Sequence, residues 1–184
     1  MREPIVADAI VARPLASSDI NERYLSWFRD EEVVRFLESR NLSRADVITF
    51  METGRDVWRF MDAICLRDSG LHIGNVKIDV NWKHSSADLS IVIGDRSHWN
   101  SGHATSAVRA MTARAFDHLL LRKLTAGVYA INLGSLKCFE RAGWRLDAIQ
   151  RDQLLFDGKP VDRIVMAAFN PGDWTTKPPI TPAA

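Results

Sequence analysis

Apolar residues recur along the chain with two different periods, and the points where the period changes divide it into elements. Residues 5–14, IVADAIVARP, predict a first strand closed by Pro14. Ile20, Tyr24, Leu25 and Phe28 then fall at helical spacing behind a cap at Ser17 or Ser18. EEVVRFLESR and SRADVITFMETGRD read as two more short helices, the second capped by Ser43. From residue 58 the pattern turns strand-like: WRFMDAICLR, HIGNVKIDVNW and ADLSIVIGD, joined by turn residues at 68–70 and 83–86, form an antiparallel meander. Helical spacing returns near Ala104, with Val108, Met111, Ala115 and Leu119 on one face and Arg109, Arg114 and Asp117 elsewhere. A strand over 123–130, a short helix over 133–143 ending on Gly143, and a long hairpin turning at 157–159 complete the pattern.

The implied order is β–αα(α)–βββ–α–β–α–ββ. Only residues 88–130 offer a β–α–β crossover, so the expected class is mixed α/β (α+β): a mostly antiparallel twisted sheet with one parallel pair and helices on both faces. One domain accounts for residues 1–169. The segment 170–184 holds four of the seven prolines and is expected to be an irregular tail.

Composition excludes more than it names. A chain of 184 residues, 46% hydrophobic and 26% charged, is long enough to fold on its own core. With 24 basic and 23 acidic residues and no basic run, neither nucleic acid nor a membrane is an expected partner. The two cysteines, Cys65 and Cys138, lie far apart in sequence and read as reduced thiols of a cytoplasmic protein. No apolar run approaches the about 18 residues of a membrane span. His98 and His103 have no Cys or carboxylate at ligand spacing, so no metal is expected.

The candidate chemistry lies in IVIGDRSHWNSGHATSAV, residues 91–108, where a strand runs through small residues into a helix. The first N–H groups of a helix lack partners and carry the positive end of its dipole. Ser101, Gly102, Ala104, Thr105 and Ser106 leave room for an anion to approach that backbone, although small residues at such a turn also serve tight packing alone. If the parallel strand pair splays, free backbone groups of the first strand can take an extended, amide-bearing ligand as an added strand. Coenzyme A, with two amides and a pyrophosphate, suits both features.

The run from Ile93 to Ile149 resembles the GNAT acetyltransferase superfamily, and within it the branch of ribosomal-protein N-terminal acetyltransferases and related small-molecule amine acetyltransferases. The family's loop, W-G-K-G-Y-A/G-T-E-A, appears as Trp99, Asn100, Ser101, Gly102, His103, Ala104, Thr105, Ser106 and Ala107. Its N-x-x-S segment before a Gly-aromatic pair appears as Asn132, Ser135, Gly143 and Trp144, and a later pattern as Arg151, Asp157, Gly158 and Asp162. The likeness extends over most of residues 8–169. Asn100 and Ser101 depart from the usual Gly and Lys, Ser106 from a common Glu, and Phe139 from a tyrosine that protonates the leaving thiolate in many relatives.

The resemblance implies acetyl-CoA as cosubstrate, a homodimer, and cofactor contacts at Ile91, Val92, Ile93, Trp99, Asn100, Ser101, Gly102, His103, Ala104, Thr105, Asn132, Ser135 and Phe139. It implies Asp88 as general base, where relatives often have Glu, with Asp95 and Glu140 behind it. Ser135 would donate to the thiolate and Asn132 to a pantetheine amide. Each also has a plainer reading: a solvated strand-edge aspartate for Asp88, a helix cap for Ser135 and Asn132. Cys138 reads as a small buried hydrophobe rather than an acetyl carrier. The expected acceptor is a primary amine on a small molecule, an amino sugar above others, or a peptide N-terminus, lying over residues 17–53 and the final hairpin. Asp30, Glu31, Glu32 and Glu38 would suit a cation there, or are simply solvated. A silent acyl-CoA-binding module and a purely structural domain are the competing classes.

Overall fold

A computed structural model describes residues 2–172. Its strands are β1 (Ile5–Ala7), β2 (Ile10–Pro14), β3 (Arg59–Leu66), β4 (His72–Asn81), β5 (Ser86–Ile93), β6 (Lys123–Tyr129), β7 (Arg145–Phe156) and β8 (Lys159–Phe169). They form one sheet in the order β1-β2-β3-β4-β5-β6-β8-β7. The helices are α1 (Glu22–Trp27), α2 (Glu31–Val34), α3 (Arg44–Glu52), α4 (His103–Asp117) and α5 (Leu133–Arg141). Beyond residue 172, the expected Pro-rich tail lies outside the described residues.

The meander is present as expected: β3, β4 and β5 pair antiparallel in sequence order. The run over 5–14 is not one strand but a hairpin, with β1 paired to β2 around Asp8 and Ala9. Asp8 takes φ 50°, an angle that aspartate tolerates better than most residues, so the turn forms without the glycine that would have signalled it. The first helix is capped by Asn21, whose side chain accepts from the Tyr24 N–H, rather than by Ser17 or Ser18; those two begin a short 3₁₀ turn. Ser43 caps α3 as expected, reciprocally with Asp46.

Two cores lie on opposite faces of the sheet. One packs α4 and α5, through Ala107, Val108, Met111 and Phe139, on Phe60, Ile64, Val76, Ile78 and Leu89. The other packs α1, α2 and α3, through Tyr24, Trp27, Val33 and Met51, on Ala63 and Cys65. Arg114 departs from its expected place off the buried face. It is 7% exposed and pairs with Asp62, itself 0% exposed on β3, which also accepts from Arg2 at 2.7 Å. A buried aspartate accounts for a buried arginine that helical periodicity alone would put in water.

One feature of the topology positions the site. β5 and β6 are the parallel pair, and their register stops after Ser86↔Lys123, Ala87↔Leu124 and Asp88↔Thr125. β5 continues to Ile93 bonded only to β4, while β6 continues to Tyr129 bonded only to β8. The two strands therefore part beyond Asp88.

Candidate functional site

The open edge of β5 is selective about which residues it offers. The Gly94 N–H donates to Ile73 at 2.9 Å, toward β4, whereas the Ile93 carbonyl accepts from the Trp99 indole N–H at 2.8 Å on the other side. Strand backbone alternates, so the N–H and C=O of Ile91 face the opening between β5 and β6, and those of Val92 face β4. Of the three β5 residues expected to meet the cofactor, Ile91 alone has both backbone groups turned to the opening and free. Ile93 is engaged by Trp99, and the Val92 side chain packs into the core beneath α1 and α2. Trp99 thus braces the loop through that indole bond.

The loop after β5 follows from its backbone angles. Asn100 takes φ 59° and Gly102 φ 82°, so two left-handed residues bend the chain into α4. Asparagine is among the few residues that reach this region readily, which explains how Asn100 fills a place where the related pattern has glycine. Gly102 occupies the N-cap of α4 without any side-chain cap, and a Cβ built there meets no atom within 4 Å. The N–H groups of His103, Ala104 and Thr105 open the helix without a capping side chain, at the positive end of a 15-residue dipole. Ser101 turns its hydroxyl to the Trp99 carbonyl at 3.3 Å. The rings of His98 and His103 lie 5.8 Å apart beside the turn, and burial lowers the pKa of His103. Ser106, one turn on, donates to Asp8 at 2.7 Å and is held by the first hairpin.

α5 lies beside α4, with the Thr105 hydroxyl 3.7 Å from the Cys138 sulfur. Burial raises the Cys138 pKa, so the thiol is a poor nucleophile at neutral pH. Asn132 is the N-cap of α5 and accepts from the Ser135 N–H at 3.1 Å, so its expected plain role is realised. That assignment removes the capping explanation for Ser135, which sits three residues inside the cap, half-buried, with its hydroxyl free of hydrogen bonds among the described residues. Phe139, expected among the cofactor contacts, is instead core: it is 2% exposed, with its ring 4.9 Å from that of Trp144.

Asp88 stands at the fork where β5 and β6 part. It is half-buried, with a carboxylate oxygen 3.4 Å from the Thr125 hydroxyl. Burial raises its pKa, against the pull of Lys77, Arg163 and the Thr125 hydroxyl. A carboxylate raised from its ordinary value in a strand fork is suited to accept a proton. Asp95, the weaker alternative, is held low by the Ser97 hydroxyl and by Arg23, its ion-pair partner at 2.6 Å, and is a structural cap. Glu140 is exposed on α5. On the Asp88 face, Phe36, Tyr129 and Phe156 meet at centroid separations of 5.4–6.4 Å and join the early helices to the final hairpin. Asp30 caps α2 and pairs with Arg96 at 3.4 Å, while Glu31 and Glu32 line an open 220 Å³ hollow together with Arg35 and Arg40, a mixed rather than an acidic surface.

Residues 10–145, well over half of the chain, match the acetyltransferase (GNAT) domain. The chain belongs to the GNAT acetyltransferase family. Among solved GNAT structures, an acetyltransferase from Bacillus anthracis superposes with a TM-score of 0.79 at 17% identity, covering 91% of this chain and 99% of that one. The spermidine N-acetyltransferase of Vibrio cholerae, solved with CoA and spermine, also gives 0.79 at 17% identity, over 89% and 96% of the two chains. The curated relative named probable N-acetyltransferase YjcK, from Bacillus subtilis, is 38% identical over 79 residues, which is 43% of this chain and 44% of that one. Among the described residues no helix is long and apolar enough to cross a membrane, and no three His, Cys, Asp or Glu side chains gather as a metal site.

Proposed function

We propose that this GNAT domain is an acetyl-CoA-dependent N-acetyltransferase in which a primary amine attacks the thioester directly in a ternary complex. The observation that carries the reading is the junction itself: an open strand edge at Ile91, an uncapped helix start at Gly102 to Thr105, and a raised-pKa carboxylate at the fork between them. The backbone N–H groups of α4 would hold the pyrophosphate of CoA, and Ile91 a pantetheine amide. Asp88, directly or through a water, accepts the proton that the amine gives up, since a simple primary amine is protonated near pH 7. The amine nitrogen bonds to the acetyl carbon as the C–S bond breaks, and the free Ser135 hydroxyl donates to the departing thiolate. Holding both reactants in line supplies much of the remaining acceleration.

The first test is free-thiol release from acetyl-CoA against a nucleotide-linked amino sugar, N-terminal peptides, spermidine and an aminoglycoside. Release with the amino sugar is the expected result. Release with peptides alone would make the domain a protein N-terminal acetyltransferase. CoA binding with silence across the panel would make it an acyl-CoA-binding module. Gly102→Glu is expected to abolish CoA binding in calorimetry by putting bulk and negative charge at the cradle; its Cβ meets no protein atom, the left-handed backbone at φ 82° makes it cost some stability, and thermal unfolding checks that the variant folds.

A further inference from the structure

β6 carries a glycine in mid-strand, at Gly127, where a side chain would normally stabilise the sheet. The reason is Arg163 on β8: a Cβ at Gly127 would lie 2.1 Å from the Arg163 Nε and 2.2 Å from its Nη2. The guanidinium therefore lies across the strand at the one residue that can accept it. Residues two apart share a sheet face, so Gly127 belongs to the face of Thr125, whose hydroxyl meets Asp88. The arginine lies one such step, ~6.6 Å along the strand, from the level of the base.

The face is only partly covered there, with Phe36 and Phe156 against Tyr129. Gly127 and Gln150 are exposed, Arg163 and Tyr129 half-exposed, and α1 to α3 pack instead on Ala63 and Cys65 of β3. Among the described residues Arg163 uses one of its five donors, Nη1 to Gln150 at 3.0 Å, its cross-strand neighbour on β7. It makes no ion pair among the described residues. Among the other cations on this face, Lys77 and Arg59 are both bound to Asp79, and Lys123 of β6 to Asp147. A forked cation with free donors, set beside the Asp88 fork on a partly open face, is built for a planar or tetrahedral anion.

We propose that Arg163, seated by Gly127, is a specificity-determining residue that binds an anionic group of the acceptor, and that the acceptor is an amine carrying a phosphate or carboxylate a few bonds from its nitrogen. This rests on the acetyl-transfer reading above and refines it. A polyamine would bring a second positive charge against Arg163 and is disfavoured. An amino sugar bearing a phosphate has the required charge.

The test uses two matched pairs, 2-aminoethyl phosphate with ethanolamine and glucosamine 6-phosphate with glucosamine, titrated calorimetrically into the full chain at saturating CoA. The phosphate-bearing member of each pair is expected to bind roughly 10- to 100-fold tighter. Arg163→Gln should erase that difference by weakening the phosphate-bearing member of each pair. Gly127→Ala, which displaces the guanidinium without removing it, should do the same, and thermal unfolding confirms that both variants fold. Equal affinities within each pair, no measurable binding of either member, or a difference that survives Arg163→Gln would overturn the proposal. Thiol release from acetyl-CoA, assayed in separate samples with the same amines, reads the acetyl-transfer reaction, so anion binding without turnover would sink the proposed reaction while leaving the anion subsite standing.

Discussion

Asp88 shows what one residue's surroundings can do to its chemistry. An exposed aspartate titrates near 3.9, too low to hold an amine's proton well. Burial at the strand fork raises Asp88 above that value, and the opposing pull of Lys77 and Arg163 limits the rise. If Asp88 is the base, kcat/KM should fall as pH drops through this raised pKa, because the protonated carboxyl cannot accept. Asp88→Asn should leave CoA affinity intact, lower kcat by about 100-fold or more, and remove that acidic limb. Steady-state profiles from pH 5 to 9 decide it: a variant with undiminished kcat or an unchanged limb would move the base elsewhere. Sequence suggested Asp88 through its likeness to relatives, but Arg163 had no such signal. Its partner Gly127 did, as a glycine inside an apolar strand run, the usual mark of a close backbone approach.

Among the elements, α4 is the one on which the cradle depends, and it is tied to the sheet by charge as well as by its apolar face. Arg114 reaches Asp62 on β3 and the Glu3 carbonyl, and Arg2 closes on the same aspartate. Removing Asp62 leaves one buried and one half-buried guanidinium without their counter-charge. Asp62→Ala should therefore cost about 3–5 kcal/mol in chemical denaturation. The Asp62→Leu, Arg114→Met pair should recover much of the loss, since an apolar replacement carries no desolvation penalty; equal losses in both would show that packing, not charge, sets the effect. This contact also marks where local patterning stops being informative. The meander, the crossover and the end of α5 were legible because their period and turn residues are local. The β1–β2 hairpin was missed because Asp8 supplies its left-handed turn without glycine, and the Asp62–Arg114 pair because its partners are 52 residues apart.

For the molecule as a whole, the sheet separates the core under α4 and α5 from the core under α1 to α3, and the latter contains a titratable group. His72 on β4 is packed by Tyr24 and Trp27 of α1, with ring centroids 5.9 and 5.0 Å away. Its Nε2 faces two acceptors, the Gly74 carbonyl at 2.9 Å and the Asn75 side-chain oxygen at 3.0 Å, so it carries the proton of a neutral ring. Burial lowers its pKa from 6.5, outweighing the favourable influence of Asn75 and Asp19. The sign follows from linkage: between that lowered value and 6.5 the unfolded chain binds a proton that the native ring refuses. Stability should be constant above about pH 7 and decline as pH falls through 6.5, with a slope of up to ~1.4 kcal/mol per pH unit for this one group. The carboxylates held low, Asp19, Asp46, Asp79, Asp95 and Asp162, act only near and below about pH 4, so they do not obscure the window. His103, also lowered but far less buried, is the one other histidine with a resolved shift in this direction among the described residues. Urea unfolding at pH 5.5, 6.5 and 7.5 should show the decline in the wild type and in His103→Gln, and a flattened profile in His72→Gln. A wild-type stability that stays level to pH 5.5 would mean that the ring between α1 and β4 accepts its proton without loosening the core under α1 to α3.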